Sequence, residues 1–237
     1  MKYRNVIKGQ FVERPNRFVA LVLVDGKIVK VHVKNTGRCK ELLVPEAVVY
    51  LEDHRDNMRQ RKLEYSLIAV EKKVAEGQIL INMDSQAPNK IVKEALANGK
   101  IKLPEMKTLT KIKSEATYGK SRLDFYVCDE EANEAYVEVK GVTLESDGIA
   151  MFPDAPTERG IKHLLELENA IKDGKRAFVI FIIQMSGIKH FSPNDERHRA
   201  FGDTLRETTS KGVTPLAYEC IVMPDSIICD KIVEIKL

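Results

Sequence analysis

The stretch 121-SRLDFYVCDEEANEAYVEVKG-141 decides the fold, because two β-rich runs flank an acidic turn yet carry charges that an ordinary sheet core does not take. A hairpin centred near Glu131 sets Asp124 opposite Glu138. Directly paired residues point to one face of a sheet, and Lys140 lies two residues further along on that face. Leu123, Phe125, Val137 and Val139 are then expected on the other face, against a core. Two carboxylates placed across from each other repel, and a divalent cation relieves that repulsion. Oxygen ligands of this kind suit Mg²⁺ or Mn²⁺, and a neighbouring lysine can orient or deprotonate water. The competing reading is a cross-strand ion pair on a solvated surface. Glu-x-Lys by itself does not choose between them.

Beyond this hairpin the pattern runs loop, helix, strand. The loop 142-VTLESDGIAMFPDAP-156 is rich in Gly, Pro and Asp. Thr157 stands where an N-cap belongs, Ile161, Leu164, Leu165 and Ile171 give the following helix an apolar face, and Gly174 is its stop. The run 176-RAFVIFIIQM-185 is nearly continuous in Val, Ile and Phe, as in a strand buried on both faces. A second helix is expected between Asn194 as cap and Gly212 as stop, and 217-AYECIVM-223 and 226-SIICDKIVEIKL-237 close the chain as strands. A mixed sheet with helices on it, an α/β core, follows.

On the N-terminal side, 17-RFVALVLVDGKIVKVHVKN-35 contains two strands around Asp25-Gly26, a type I′ turn pair. Val29, Val31 and Val33 alternate with Ile28, Lys30, His32 and Lys34. Further short strands in 47–54, 63–74 and 78–84 suggest a small closed barrel. A short helix is expected in 87-APNKIVKEALANGKI-101, and 103-LPEMKTLTKIKSEATYG-119 reads as a connector. Two domains follow: residues 1–85 as the barrel, and 86–237 as connector and α/β unit.

The chain has 237 residues, 43% hydrophobic and 31% charged, within the range of globular proteins. No run reaches the roughly 18 apolar residues of a membrane span, and the N-terminus has no apolar core of signal-peptide length. Four scattered cysteines form no CxxC pair and are expected to be reduced thiols in a cytoplasmic protein. The net charge of +3 conceals an asymmetry, with +8 in residues 1–110 and −5 in 111–237. A basic half can attract a polyanion. The absence of P-loop, GxGxxG and GxSxG patterns argues against nucleotide hydrolase, dehydrogenase and α/β-hydrolase chemistry.

Together, 14-RPNRF-18, 35-NTGRCKELL-43, 121-SRLDF-125, 137-VEVKGVTL-144 and 152-FPDAPTERGIKHLLEL-167 resemble the sugar fermentation stimulation protein family, SfsA. The resemblance implies an N-terminal OB-fold, a C-terminal domain similar to PD-(D/E)xK nucleases, and non-specific DNA binding with a link to sugar-gene regulation. Its nuclease pattern places Asp124 as the metal-binding aspartate, Glu138 as the second carboxylate and Lys140 as the lysine. Leu123 stands where the usual Pro precedes the aspartate. Glu115 is the candidate for the additional glutamate that such domains carry on a preceding helix.

Gln184 and Asp154 are further candidates for this site, or a strand cap and a turn residue. Arg14, Arg17, Arg38 and Lys40 in the matched motifs, with Lys34 directly before one of them, are the candidate DNA contacts. Phe18, beside them, is expected in the core. Trp is absent and aromatics are few, so backbone electrostatics should outweigh base stacking. Arg159 and Lys162, near a helix N-terminus with Glu158 and His163, could hold a phosphate or form a polar helix face. The histidines show no metal-ligand spacing. Two functions follow: a DNA-binding protein with a nuclease-like Mg²⁺ or Mn²⁺ site that hydrolyses phosphodiesters, or a non-enzymatic DNA-binding regulator with a vestigial nuclease fold. Oligomeric state is not legible.

Overall fold

The structure, a computed structural model, describes residues 1–35, 37, 39–75, 77–119 and 121–237. The first five strands, β1 (Val6–Asn16), β2 (Val19–Val24), β3 (Lys27–Val33), β4 (Val48–Asp53) and β5 (Tyr65–Val74), form a ring. β1 pairs antiparallel with β2 and β4, β2 with β3, and β4 with β5, while a parallel β3–β5 pairing closes the barrel. β6 (Gly77–Asn82) extends the sheet beside β5. At the β2–β3 turn Asp25 and Gly26 both take positive φ, 48° and 77°, the geometry of a type I′ hairpin. Alternation fills the interior: Ala20, Val22, Val31, Val33, Val49, Leu51 and Leu67 are buried, while Ile28 is exposed.

A helix, α1 (Ala87–Ala97), leads into the second unit. Its six-stranded sheet runs β15-β14-β12-β9-β8-β7, with β7 (Leu109–Tyr118), β8 (Ser121–Asp129), β9 (Glu134–Val142), β12 (Arg176–Ile183), β14 (Thr214–Met223) and β15 (Ser226–Ile232). β12 lies parallel to both β9 and β14 at the centre, and every residue from Ala177 to Ile183 is buried. Its period of two feeds two cores. Phe178, Ile180 and Ile182 pack with α1, whereas Val179, Phe181 and Ile183 pack with α2 (Glu158–Lys172) and α3 (Asp195–Ser210). Both caps expected from sequence form: Thr157 accepts from Gly160 N at 3.0 Å, and Asn194 accepts from Arg197 N. α3 is kinked at His198, whose φ of −158° leaves the helical region.

Two segments differ from the sequence expectation. The supposed connector 109–118 is the edge strand β7. The supposed loop after Val142 holds a second Asp-Gly hairpin, β10 (Leu144–Ser146) and β11 (Ile149–Phe152), turned at Asp147-Gly148. β11 then pairs with β13 (His190–Pro193) in a small third sheet. Among the described residues no helix is long and apolar enough to cross a membrane.

The two units are riveted together. Gln184 Nε2 donates to the backbone oxygens of Asn82 and Asp84 and to Asn82 Oδ1, and Asn82 N donates back to Gln184 O. Lys72 of β5 reaches Glu145 of β10 at 2.6 Å. Tyr3, ahead of β1, donates its amide to Asp225 O while its hydroxyl accepts from Asn82 Nδ2 of β6, so the first residues also bridge the two units.

Candidate metal and nucleic-acid site

The hairpin β8–β9 adopts the register expected from sequence, with Phe125 opposite Val137 and Tyr126 opposite Tyr136. The ladder stops there, one residue short of Asp124. Asp124 Oδ2 instead accepts the Val139 amide at 2.7 Å, and Oδ1 accepts Asn89 Nδ2 of α1 at 2.7 Å. The alternation of β8 breaks at the same point: Phe125 and Val127 join the α1 core, whereas Leu123 joins the α2/α3 core. The expectation that Leu123 shares a face with Phe125 is thus corrected. Across the sheet, Glu115 of β7 has φ +52°, outside the extended region, so the distortion extends to the strand partnering β8 here.

Glu138 and Lys140 face α2. Lys140 Nζ donates to Glu138 Oε1 at 2.7 Å, and His163 Nδ1 of α2 donates to the same oxygen. Glu138 is 3% exposed, and its second oxygen, Oε2, is buried with no hydrogen-bond partner among the described residues. Burial pushes the Glu138 carboxyl up, but the hydrogen bonds from His163 and Lys140 outweigh it and hold the group below its usual range. Asp124 goes the other way. Burial raises it, the nearby Glu138 charge raises it further, and the Val139 and Asn89 hydrogen bonds do not cancel these effects. The Glu138 charge is felt at Asp124 although their partners come from opposite sides of the sheet, Asn89 of α1 for Asp124 and His163 of α2 for Glu138. The expectation that Asp124 shares one face with Glu138 and Lys140 is thus corrected as well.

The donor set fits a divalent cation. An unpartnered buried carboxylate oxygen is costly unless something positive meets it, and Glu138 Oε2 is such an atom. Mg²⁺-type sites use one or two carboxylates and complete an octahedron with water and substrate oxygens, so Asp124 and Glu138 suffice. No group of three or more His, Cys, Asp or Glu side chains suited to a metal occurs among the described residues.

The other candidates fall elsewhere. Glu115 lies on a strand, not a helix, and its exposed carboxylate pairs with Arg122 at 2.9 Å. Gln184 commits its amide nitrogen to the junction between the units. The Asp154 carboxylate abuts Gly37, where an added Cβ would sit 2.5 Å from Oδ2. Lys34 is drawn into an ion-pair cluster, 3.0 Å from the fully buried Asp84 and 3.6 Å from Glu52. Arg14 donates to the carbonyls of Gly37, Arg17 and Asn35, tying the β1–β2 turn to the loop after β3. Arg38 lies outside the described residues. Lys40, Arg159 and Lys162 are exposed. So is Phe18, at 46%, against the expectation of a core role. It occupies the turn between β1 and β2, where the chain reverses outside the barrel, and Arg17 stacks over its ring at 4.8 Å.

A cleft of about 340 Å³ separates Asn35 and Gly37, in the loop after β3, from the segment that follows Lys140, including Gly141 and Thr143, and extends to Asp154 and to Thr157, the N-cap of α2. Gly141, the residue after Lys140, lines this groove between the units, and Arg159 is the second residue of the helix that starts beyond it. Asn89 and His163 are the site residues that sequence reasoning missed. His163 offered a signal: its spacing from Leu164 and Leu167 puts it on the buried face of α2, where a polar ring needs a partner.

Sequence comparison matches residues 12–82 to the SfsA N-terminal OB domain and residues 86–226 to the sugar fermentation stimulation protein RE domain. The chain belongs to the sugar fermentation stimulation protein family, SfsA. A sugar fermentation stimulation protein homolog of Clostridium beijerinckii is 52% identical over 227 residues, covering 96% of each chain. One from Desulfitobacterium hafniense is 50% identical over 237 residues, covering 100% of this chain and 99% of its own. The solved structure of Pyrococcus furiosus SfsA in complex with Ca²⁺ superposes with a TM-score of 0.86 at 27% identity, covering 100% of this chain and 98% of that one. The OB barrel followed by a mixed-sheet α/β unit is thus the SfsA architecture.

Proposed function

We propose that this SfsA chain binds DNA with little sequence preference and hydrolyses phosphodiester bonds at a divalent-metal site built on Asp124 and Glu138. The observation that carries the reading is the buried, unpartnered Oε2 of Glu138 beside a second carboxylate and a lysine. A bound Mg²⁺ or Mn²⁺ would supply Lewis-acid polarisation of the phosphate and an acidified water. The chain's own residues do the rest. Val139 N and Asn89 fix the Asp124 carboxylate, while Lys140, anchored on Glu138 Oε1, holds an ammonium where charge develops on the phosphate. The Ca²⁺ complex of the Pyrococcus furiosus relative agrees with a cation-binding role in the family.

DNA is favoured as the ligand by the +8 balance of residues 1–110 and by exposed basic groups on both units: Arg17 stacked on Phe18 and Lys40 on the barrel side, Arg159 and Lys162 on α2. Binding of this kind is dominated by phosphate contacts and weakens steeply with salt. The deciding experiment incubates plasmid and single-stranded DNA with the protein in Mg²⁺ or Mn²⁺. Cleavage that disappears in EDTA and in Glu138→Gln and Lys140→Ala is expected. No cleavage by the wild type, with salt-sensitive binding intact, would instead make it a non-enzymatic DNA-binding protein.

A further inference from the structure

We infer that His163 is a positioning residue for the cation site: it ties down Glu138 Oε1 so that Oε2 is presented for single-oxygen ligation, and Arg159 fixes the imidazole tautomer that makes this possible. The inference rests on the reading of Asp124 and Glu138 as cation ligands. A carboxylate buried to 3% exposure would ordinarily share its donors between its oxygens. Here His163 and Lys140 both converge on Oε1, and Oε2 receives none. That division locks the carboxylate against rotation about its own axis and leaves one defined oxygen.

His163 is built for this. It is 6% exposed on the inward face of α2, one residue before the fully buried Leu164, so its ring has nowhere to turn. Its other nitrogen, Nε2, accepts from Arg159 Nε at 3.4 Å, one helical turn earlier. A guanidinium can only donate, so Nε2 is the acceptor and the imidazole proton sits on Nδ1, pointing at Glu138. Arg159, which sequence reading offered as a phosphate contact, thereby has a second role inward from its exposed position.

The chemical consequence concerns which cation is preferred. Ca²⁺ readily takes both oxygens of a carboxylate in a flexible shell of six to eight ligands, whereas Mg²⁺ and Mn²⁺ favour octahedral sites with single-oxygen ligation. Holding Oε1 out of reach selects for the smaller ions. Replacing His163 should therefore weaken Mn²⁺ binding more than Ca²⁺ binding, which mere loss of packing would not do.

The test titrates the full chain, without DNA, with Mn²⁺ and with Ca²⁺ by calorimetry, Mn²⁺ also being followed by electron paramagnetic resonance. His163→Leu should lose about 10–100-fold in Mn²⁺ affinity, as removal of partners behind ligands typically does, and lose less for Ca²⁺. His163→Asn, whose amide nitrogen overlays Nδ1, should restore most of it. Equal Mn²⁺ affinity in wild type and His163→Leu overturns the inference, as does equal loss in His163→Leu and His163→Asn. If His163→Leu does not fold, Arg159→Met decides: weaker Mn²⁺ binding than wild type supports the relay, and unchanged binding overturns it. Wild type that binds neither cation defeats the metal-site reading itself, a different result from any of these.

Discussion

Gly141, the residue after Lys140, sits where the hairpin, α1 and the junction between the two units meet. In Gly141→Ala the new methyl would lie 2.6 Å from Gln184 Oε1 and 2.8 Å from Pro88 Cγ, both closer than real Cβ contacts come. Neither neighbour can yield cheaply. Gln184 is 2% exposed, and its amide nitrogen is spent on Asn82 O at 3.0 Å, Asn82 Oδ1 at 3.0 Å and Asp84 O at 3.2 Å. Pro88 belongs to the first turn of α1, pinned by the fully buried Ala87 before it. Overpacking of this kind costs about 1–3 kcal/mol, and turning the glutamine strands buried acceptors at about 1–3 kcal/mol. A loss of about 3 kcal/mol is expected, which corresponds to a fall in Tm of roughly 6–12 °C at this chain length. Calorimetry with urea unfolding measures it. Because a shifted α1 also moves Asn89 away from Asp124, the variant should bind divalent cations more weakly even where it is fully folded. Gln184→Ala in the same chain removes one of the two clashes, so the double variant should be more stable than the two single effects summed. A Tm within about 2 °C of wild type, or strict additivity in the double variant, would refute this account of the junction.

Three other outcomes follow from the same structure. Lys34→Met strips the partner from Asp84, which is fully buried, and should cost about 3–5 kcal/mol in urea unfolding while leaving the salt dependence of DNA binding unchanged; the reverse pattern would restore Lys34 as a phosphate contact. Thr157→Ala removes the cap hydrogen bond to Gly160 N and should lower stability by about 1 kcal/mol, read as a shift in the urea midpoint at constant slope. Burial pushes the Glu145 carboxyl up, but hydrogen bonds from Lys72 and the Gly148 amide more than offset this and hold it below its usual range. Its folded pKa is therefore depressed, so its stabilising contribution is complete above the unfolded value of about 4.3 and is lost as pH falls through the folded value; Glu145→Gln should flatten that part of the stability profile, and an unchanged acid limb would count against the pairing.

Local chemistry made much of this molecule legible in the sequence. Asp25-Gly26 specified its hairpin because both positions need positive φ. Thr157 and Asn194 specified helix starts because their oxygens meet orphan amides, and 176–183 declared a strand buried on both faces by offering no polar side. The acidic turn set the β8–β9 register, and with it the neighbourhood of Asp124, Glu138 and Lys140. A second Asp-Gly pair, Asp147-Gly148, carried the same signal as the first, but the Pro and Gly around it read as loop. The strand at 109–118 was missed because an edge strand alternates weakly, with most of its residues half or fully exposed.

Tertiary structure alone decided which side chains meet at the candidate site. Glu115 is close to Asp124 in sequence, yet the positive φ of its strand turns it to solvent and Arg122, while Asn89, 35 residues away, reaches Asp124 because α1 packs across the sheet. His163 meets Glu138 across 25 residues for the same reason on the opposite face. Lys34, basic and next to a matched motif, was withdrawn from any surface role by the buried Asp84 that the chain brings to it from 50 residues on. Sequence fixes a side chain's type and its place in a local period; which partner neutralises a buried charge depends on long-range packing, and that choice separates a ligand from an ion pair.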